Sequence, residues 1–262
     1  GHYEPLRHYS EAHLLLEPLP RGKGLVIDSN CPVDVLPLGW QKQILSSLDE
    51  AYLTGTLTNS ELTDMKITLV AGKGHIKHTE GGDFRQAALR ALRQGLMFTE
   101  VVLLEPYVRF ELVLDNELVA RALFDLEQKN AKVEVSSQED HAVIKGLWPY
   151  RNCQNYAQEV MGYTHGKGKW NASVEGYYPC EDQDKIVEEI GYDPLSDLYH
   201  SPDSVFCQHG SGVIVPYYQV EEYMHLPYVM YEEAKEVTSS SVHMRHKVSQ
   251  DELKEVMNRT YK

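Results

Sequence analysis

Between Tyr9 and Glu17 the apolar positions Tyr9, Ala12, Leu14 and Leu16 predict a strand. The run Pro18-Leu19-Pro20-Arg21-Gly22-Lys23-Gly24 then supplies a turn. Leu25-Val26-Ile27 predicts a second short strand, returning as a hairpin. Over 40–53, Trp40, Ile44, Leu45, Leu48, Ala51 and Tyr52 recur at helical spacing, with Trp40, Ile44 and Leu48 as a core-facing stripe. Met65, Ile67 and Leu69 alternate over 63–70, as in a strand with one buried face. The polar stretch 71–82 contains Gly72, Gly74, Gly81 and Gly82 and predicts a loop. Asp83 is the expected N-cap of the next helix, whose Phe84, Ala87, Ala88, Ala91, Leu92 and Leu96 share one side.

The next eighty residues repeat the logic in a different order. Val102, Leu104, Val108, Phe110, Leu112 and Leu114 give a long strand over 101–114, broken at Glu105-Pro106. A helix follows over 117–129, with Leu118, Val119, Ala122, Leu123 and Leu126 inward. Strands at 131–136 and 141–148, a short helix over 151–160 and a strand over 169–178 complete β-α-β-β-α-β, the ferredoxin-like split βαβ order. Beyond Pro179 regularity fades into Pro, Asp, Tyr and His, with a terminal helix expected over 250–261. The fold class is therefore α+β: a βαβ-containing unit over 1–102, a ferredoxin-like sandwich over 103–179 and an irregular extension over 180–262.

At 262 residues, 42% of them hydrophobic, the chain has material for more than one core. No apolar run is long enough for a membrane helix. The start, Gly1-His2-Tyr3-Glu4, has neither an initiator Met nor a signal-peptide pattern, which suggests an excised fragment. Cys31, Cys153, Cys180 and Cys207 form no CxxC pair, so a reducing, cytoplasmic setting is the simplest expectation. A formal charge of −14 argues against a general nucleic-acid binder. Yet Lys73, Lys77, Arg85, Arg90 and Arg93 face only Glu80 and Asp83 between Gly72 and Arg93, a local basic site on an acidic body.

That local site carries the chemistry. Lys73, His75, Lys77 and His78 lie among glycines and offer cations and ring faces, which suits phosphate contact and stacking on unpaired RNA bases. A solvated turn with scattered charges is the plainer alternative, and His75-x-x-His78 lacks the further ligands of a metal site. Gly166-Lys167-Gly168-Lys169 reads equally as a phosphate-contacting hairpin or as a plain basic turn. Cys207 and His209 with His200, His225, His243 and His246 could supply a zinc or nickel site, Cys207/His209 a nucleophile pair, or the set could be ordinary histidines. Tyr217, Tyr218, Tyr223, Tyr228 and Tyr231 are expected to pack the extension onto the second domain. No phosphate-loop motif GxxxxGK[ST] occurs.

Several segments resemble domains IV and V of elongation factor G and its relatives. Leu16-Glu17-Pro18-Leu19-Pro20-Arg21-Gly22-Lys23-Gly24 resembles the EPLPRGSG turn, Thr63-Asp64-Met65-Lys66-Ile67-Thr68-Leu69 the VDIKVTL strand, and Leu103-Leu104-Glu105-Pro106 the ILEP that opens domain V. Gly81-Gly82-Asp83-Phe84-Arg85 and Leu104-Glu105-Pro106-Tyr107 are similar to the PADFR and LEPY of the tetracycline ribosomal-protection family. Val205 to Gly210, and on to Leu226, looks like an extension found in a subset of that family.

The resemblance implies a first unit with the fold domain IV shares with a small-subunit ribosomal protein (ribosomal protein domain 2-like), including a left-handed crossover. It implies two tip loops entering the decoding centre, which here hold Leu6, Arg7, His8 and Tyr9 in the first and Lys73, His75, Ile76, Lys77 and His78 in the second. Lys167 and Lys169 are the further candidate rRNA contacts. The partners implied are rRNA, the small-subunit decoding centre through domain IV and the large subunit through domain V, with no membrane. GTP and Mg²⁺ would belong to a catalytic domain upstream of residue 1, so the piece itself is expected to be neither an enzyme nor a cofactor or metal binder. Where the protection proteins carry Tyr-Ser-Pro-Val, this chain has His75-Ile76-Lys77-His78, without the drug-displacing proline. The competing expectations are an elongation factor G paralogue in translocation or recycling, and a metal-dependent enzyme built on the His/Cys-rich extension.

Overall fold

The computed structural model describes residues 1–227. In chain order the first segment gives β1 (His2–Tyr3), β2 (Ser10–Pro18), β3 (Leu25–Ser29), α1 (Leu38–Asp49), β4 (Met65–Gly74) and α2 (Asp83–Met97). The middle segment gives β5 (Leu104–Asp115), α3 (Val119–Gln128), β6 (Lys132–Ser137), β7 (His141–Pro149), α4 (Tyr150–Cys153), α5 (Tyr156–Tyr163) and β8 (Lys169–Pro179). The last gives α6 (Gln183–Ile190), β9 (Ser204–Gln208), β10 (Ser211–Val215) and α7 (Val220–Tyr223). Two units result among the described residues: 1–101 together with 184–227, and 102–183.

The first unit is a six-stranded sheet in the order β10-β9-β1-β2-β4-β3. Strand alternation turns Ala12, Ile67 and Leu69 toward α1 and α2, where they form a core with Leu36, Ile44, Leu48, Phe84, Ala88 and Leu92. β3 pairs with β4 in parallel, so β3-α1-β4 is a βαβ unit. The hairpin expected between β2 and β3 does not form, because β4 lies between them. The 18–24 turn wraps instead around Asp64: Leu19 N donates to Asp64 O at 2.8 Å, and Gly24 N to its Oδ1 at 2.9 Å. α2 begins at Asp83 itself, and the N-cap is Gly82 at φ 96°, a backbone angle that costs a glycine little.

The extension, as far as residue 227, is not irregular. β9 pairs in parallel with β1 through Tyr3↔Val205 and forms an antiparallel hairpin with β10, turning at His209 (φ 50°) and Gly210 (φ 78°). β1 would otherwise present an open edge, and β9 covers it. Tyr217 and Tyr223 accordingly pack within the first unit rather than the second, with rings 5.3 Å from Phe98 and 5.6 Å from Phe206. Arg93, 3% exposed, helps to hold the segment by donating to His200 O and Tyr192 Oη as well as to Thr54 O and Gly55 O. Tyr228, Tyr231, His243, His246 and the helix expected over 250–261 lie outside the described residues.

The second unit has the expected order, β6-β7-β5-β8. Its core stacks Phe110, Trp148, Tyr156 and Trp170, with ring centroids 4.8–5.7 Å apart. The break expected at Glu105-Pro106 is absent. β5 runs through it, and the irregularity falls at Tyr107/Val108 opposite Gly176, leaving Glu175 as the extra residue of β8. The helix expected over 151–160 divides into α4 and α5 at Asn155, which sits at φ 68°.

Candidate functional site

β2 and β4 run side by side to one end of the first sheet, where Ser10 faces Gly74 and Glu11 faces Lys73. The loops leaving that end, between β1 and β2 and between β4 and α2, are fastened to each other. Tyr9 N donates to His78 O at 3.0 Å, and Thr79 Oγ1 donates to Tyr9 O at 2.6 Å. At their base the Asp83 carboxylate holds both loops. It lies 2.9 Å from His8 Nδ1 and accepts from Glu80 N at 2.8 Å.

The second loop is a tight turn. His78 N and Thr79 N both donate to His75 O, at 3.0 and 2.8 Å, and His75 N donates to Thr79 Oγ1 at 2.7 Å. This closure stacks the His75 and His78 rings, with centroids 4.5 Å apart and planes at 23°. Ile76 projects from the turn at 91% exposure, and Lys73, His75, Lys77 and His78 are exposed around it. Behind them Gly74 lies against the Trp40 ring, where a Cβ would come within 2.8 Å of it. The core thus supports the loop directly.

Of the first-loop residues, Leu6 and Arg7 are exposed and His8 half-buried. Leu6 sits at φ 44°, a left-handed conformation uncommon for leucine. Tyr9 does not join the exposed set. It is 8% exposed, and its hydroxyl lies 2.9 Å from His225 Nδ1 and 3.4 Å from Glu11 Oε2. Burial and the charges of Glu11 and Glu4 hold that phenol well above its ordinary range. Its inward turn follows from strand alternation with Glu11 and His13, which face the extension. Lys167 and Lys169 are exposed on the α5–β8 connection of the second unit. That connection is a helix-to-strand turn rather than a hairpin, with Gly166 at φ 81° and Gly168 N bonded to Thr164 Oγ1.

The sequence did not point to a second cluster. On the sheet face away from α1 and α2, His2 is 0% and Glu11 1% exposed. His13 Nε2 is 2.8 Å from Glu11 Oε1, and the N–H groups of His225 and Leu226 reach the same carboxylate at 3.3 and 3.1 Å. Burial pushes the Glu11 carboxyl up, but the imidazoles of His13 and His2 and the Leu226 N–H outweigh it and hold it below the carboxylate range. Burial and the neighbouring His2 lower His225 below its ordinary value. Among the described residues, the grouping able to hold a metal is His2, Glu11 and His225, with ligand atoms within 4.8 Å of one another. Cys207, His200 and His209 are not in it; His200 instead contacts Asp197 at 2.8 Å. The signal available in the sequence was the i, i+2 spacing of His2 with Glu4 and of Glu11 with His13.

Comparison with known proteins gives these features a context. Residues 2–99 match the family model described as Elongation factor G, domain IV, and residues 102–186 match Elongation factor G C-terminus. Tetracycline resistance protein TetP of Clostridium perfringens is 32% identical over 185 residues, covering 70% of this chain and 28% of that protein. The TetO proteins of Campylobacter jejuni and Streptococcus mutans are each 29% identical over 178 residues, 67% of this chain and 28% of theirs. A solved structure, that of ttk003000868 from Thermus thermophilus, shares the fold at a TM-score of 0.61 and 22% identity, over 70% of this chain and 28% of that one. The chain therefore spans little more than a quarter of the length of these relatives.

Proposed function

The chain belongs to the elongation factor G family through its domain IV and C-terminal domain, and on that premise we propose that it is the ribosome-binding module of a translational GTPase of the tetracycline ribosomal-protection type. In this reading the fastened loops of the first unit reach the small-subunit decoding centre, and the second unit contacts the large subunit. Nucleotide and Mg²⁺ would be bound by a GTPase domain outside this chain, which itself has no phosphate-loop motif. The setting would be the cytoplasm.

One observation carries the proposal: the pinned second loop, which presents the His75/His78 stack, the Lys73 and Lys77 ammoniums and the projecting Ile76 together. Cations give contact with RNA phosphates, stacked imidazoles offer a face to an unpaired base, and Ile76 adds an apolar wedge. With a net charge of −14, attraction to RNA over the whole body is not expected, which supports a local contact at the tip. Leu6 and Arg7 extend the same surface. Lys167 and Lys169 are proposed rRNA contacts of the second unit.

A second reading, an elongation factor G paralogue acting in translocation or recycling, is favoured by the sequence His75-Ile76-Lys77-His78 where the protection proteins have their proline. Both readings are tested with the full-length protein carrying Lys73→Ala, His75→Ala and Lys77→Ala. Ribosome pelleting with a GTP analogue is expected to change less than about threefold, while translation rescued in tetracycline falls by roughly tenfold or more. Rescue that is unchanged rejects the tip-loop role. A parent protein that never rescues translation in drug, yet promotes translocation or subunit splitting, selects the second reading.

A further inference from the structure

We propose that His2, Glu11 and His225 form a binding site for a zinc-class divalent cation, which clasps the segment around β9 and β10 to the edge of the sheet. The three ligand atoms lie within 4.8 Å of one another, and two of the three side chains are fully inside the protein. The ring of His2 sets the chemistry. Its Nε2 is 3.1 Å from Glu4 Oε2 and its Nδ1 points to Glu11, so both ring nitrogens face carboxylates. Nδ1 faces the Glu11 carboxylate, so a proton or a metal ion must bridge the two. That nitrogen is buried, has no hydrogen-bond partner and lies 3.5 Å from Glu11 Oε2.

A buried ring nitrogen and a carboxylate oxygen at this separation need a positive centre between them. Zinc–nitrogen and zinc–oxygen bonds of ~2.0–2.1 Å at tetrahedral angles put ligand atoms ~3.3 Å apart, close to the His2–Glu11 separation. His225 is exposed and rests against Tyr9, and drawing its ring inward by roughly 1.5 Å would bring the set from 4.8 Å to this spacing. Two imidazoles in a set of three select a borderline ion such as Zn²⁺ over Mg²⁺ or Ca²⁺. Glu4, bonded to the far side of His2, has the place of the carboxylate that orients a metal-bound histidine. The ion would join residues more than two hundred positions apart, so its effect is on the docking of the segment rather than on chemistry at the tip.

The rival is a second proton on His2, giving an imidazolium between Glu4 and Glu11 and no metal. The untagged 262-residue chain, stripped with chelator, dialysed and loaded with Zn²⁺ or Co²⁺, distinguishes the two. After desalting, about one equivalent is expected to remain, with visible Co²⁺ bands of low symmetry and a raised unfolding temperature. His225→Ala alters an exposed residue and leaves the fold in place, and it should weaken retention by at least tenfold. Cys207→Ser and the double variant His243→Ala, His246→Ala should retain the ion. No retention by the parent chain overturns the proposal, as does retention unchanged in His225→Ala or lost in the His243/His246 variant.

Discussion

At the tip, His75 and His78 stack on each other in solvent; across the same sheet, His2 and His13 are closed in against Glu11 under the returning segment. Both groups hang from the β1–β2 and β2–β4 pairings, and both use imidazole. Cover makes the difference. Once the residues up to Leu226 lie over one face of β2, the polar atoms there depend on partners within the protein. At the tip nothing among the described residues lies above the loop, so its rings and ammoniums are exposed there. One residue type is thus buried and structural in one place and exposed in the other, where the proposed function gives it a role in recognition.

The contrast is tested most severely at Glu11. Glu11→Gln leaves His2 and His13 without their buried anion and is expected to cost about 3–5 kcal/mol in urea unfolding. Acid tests the same group. Because its folded value is depressed, its contribution is full above the ordinary 4.5 and is lost as pH falls through the lower folded value. A parent chain with no extra acid sensitivity relative to Glu11→Gln would contradict this. Next comes the base of the tip. Gly74→Ala drives a methyl into the Trp40 ring and should cost about 1–3 kcal/mol while shifting the amide resonances of residues 75–79. His225→Ala, at the margin of the covered region, should cost about 1 kcal/mol through the lost Tyr9 contact. As His225 is held below its ordinary 6.5, the unfolded chain protonates first on acidification, so its contribution declines as pH drops under 6.5 and is absent from the variant's profile. The smallest effect belongs to the tip surface: the Lys73, His75, Lys77 triple alanine variant should unfold within about 0.5 kcal/mol of the parent.

The ferredoxin-like unit was legible because its strands and helices alternate in short-range order and its core residues recur at the period of their own element. The tip was legible for a related reason: a glycine-rich polar run between a clear strand and a clear helix can only be a projection. The buried cluster was hidden because His2 and Glu11 acquire their surroundings from His225, and no local pattern reports a contact across that separation. Tyr9 was assigned to the tip by its neighbours in sequence, whereas the alternation it shares with Glu11 and His13 turns it inward. The β9–β10 hairpin carried a His209-Gly210 turn and the strand-favouring pair Val205-Phe206, but the surrounding Pro, Asp and Tyr masked it. Pro106 was read as a breaker, yet β5 accommodates it beside the bulge at Glu175.

The parallel pairing of β1 with β9 also sets an order of events during synthesis. The middle unit, residues 102–183, is continuous and can complete itself as soon as it leaves the exit tunnel. The earlier strand β1 must wait for about two hundred further residues, or about 10–40 s at about 5–20 residues per second. During that interval its edge and the polar face of β2 are open, so the nascent chain has a defined window in which a chaperone, or a mispaired strand, can take the place that β9 later fills.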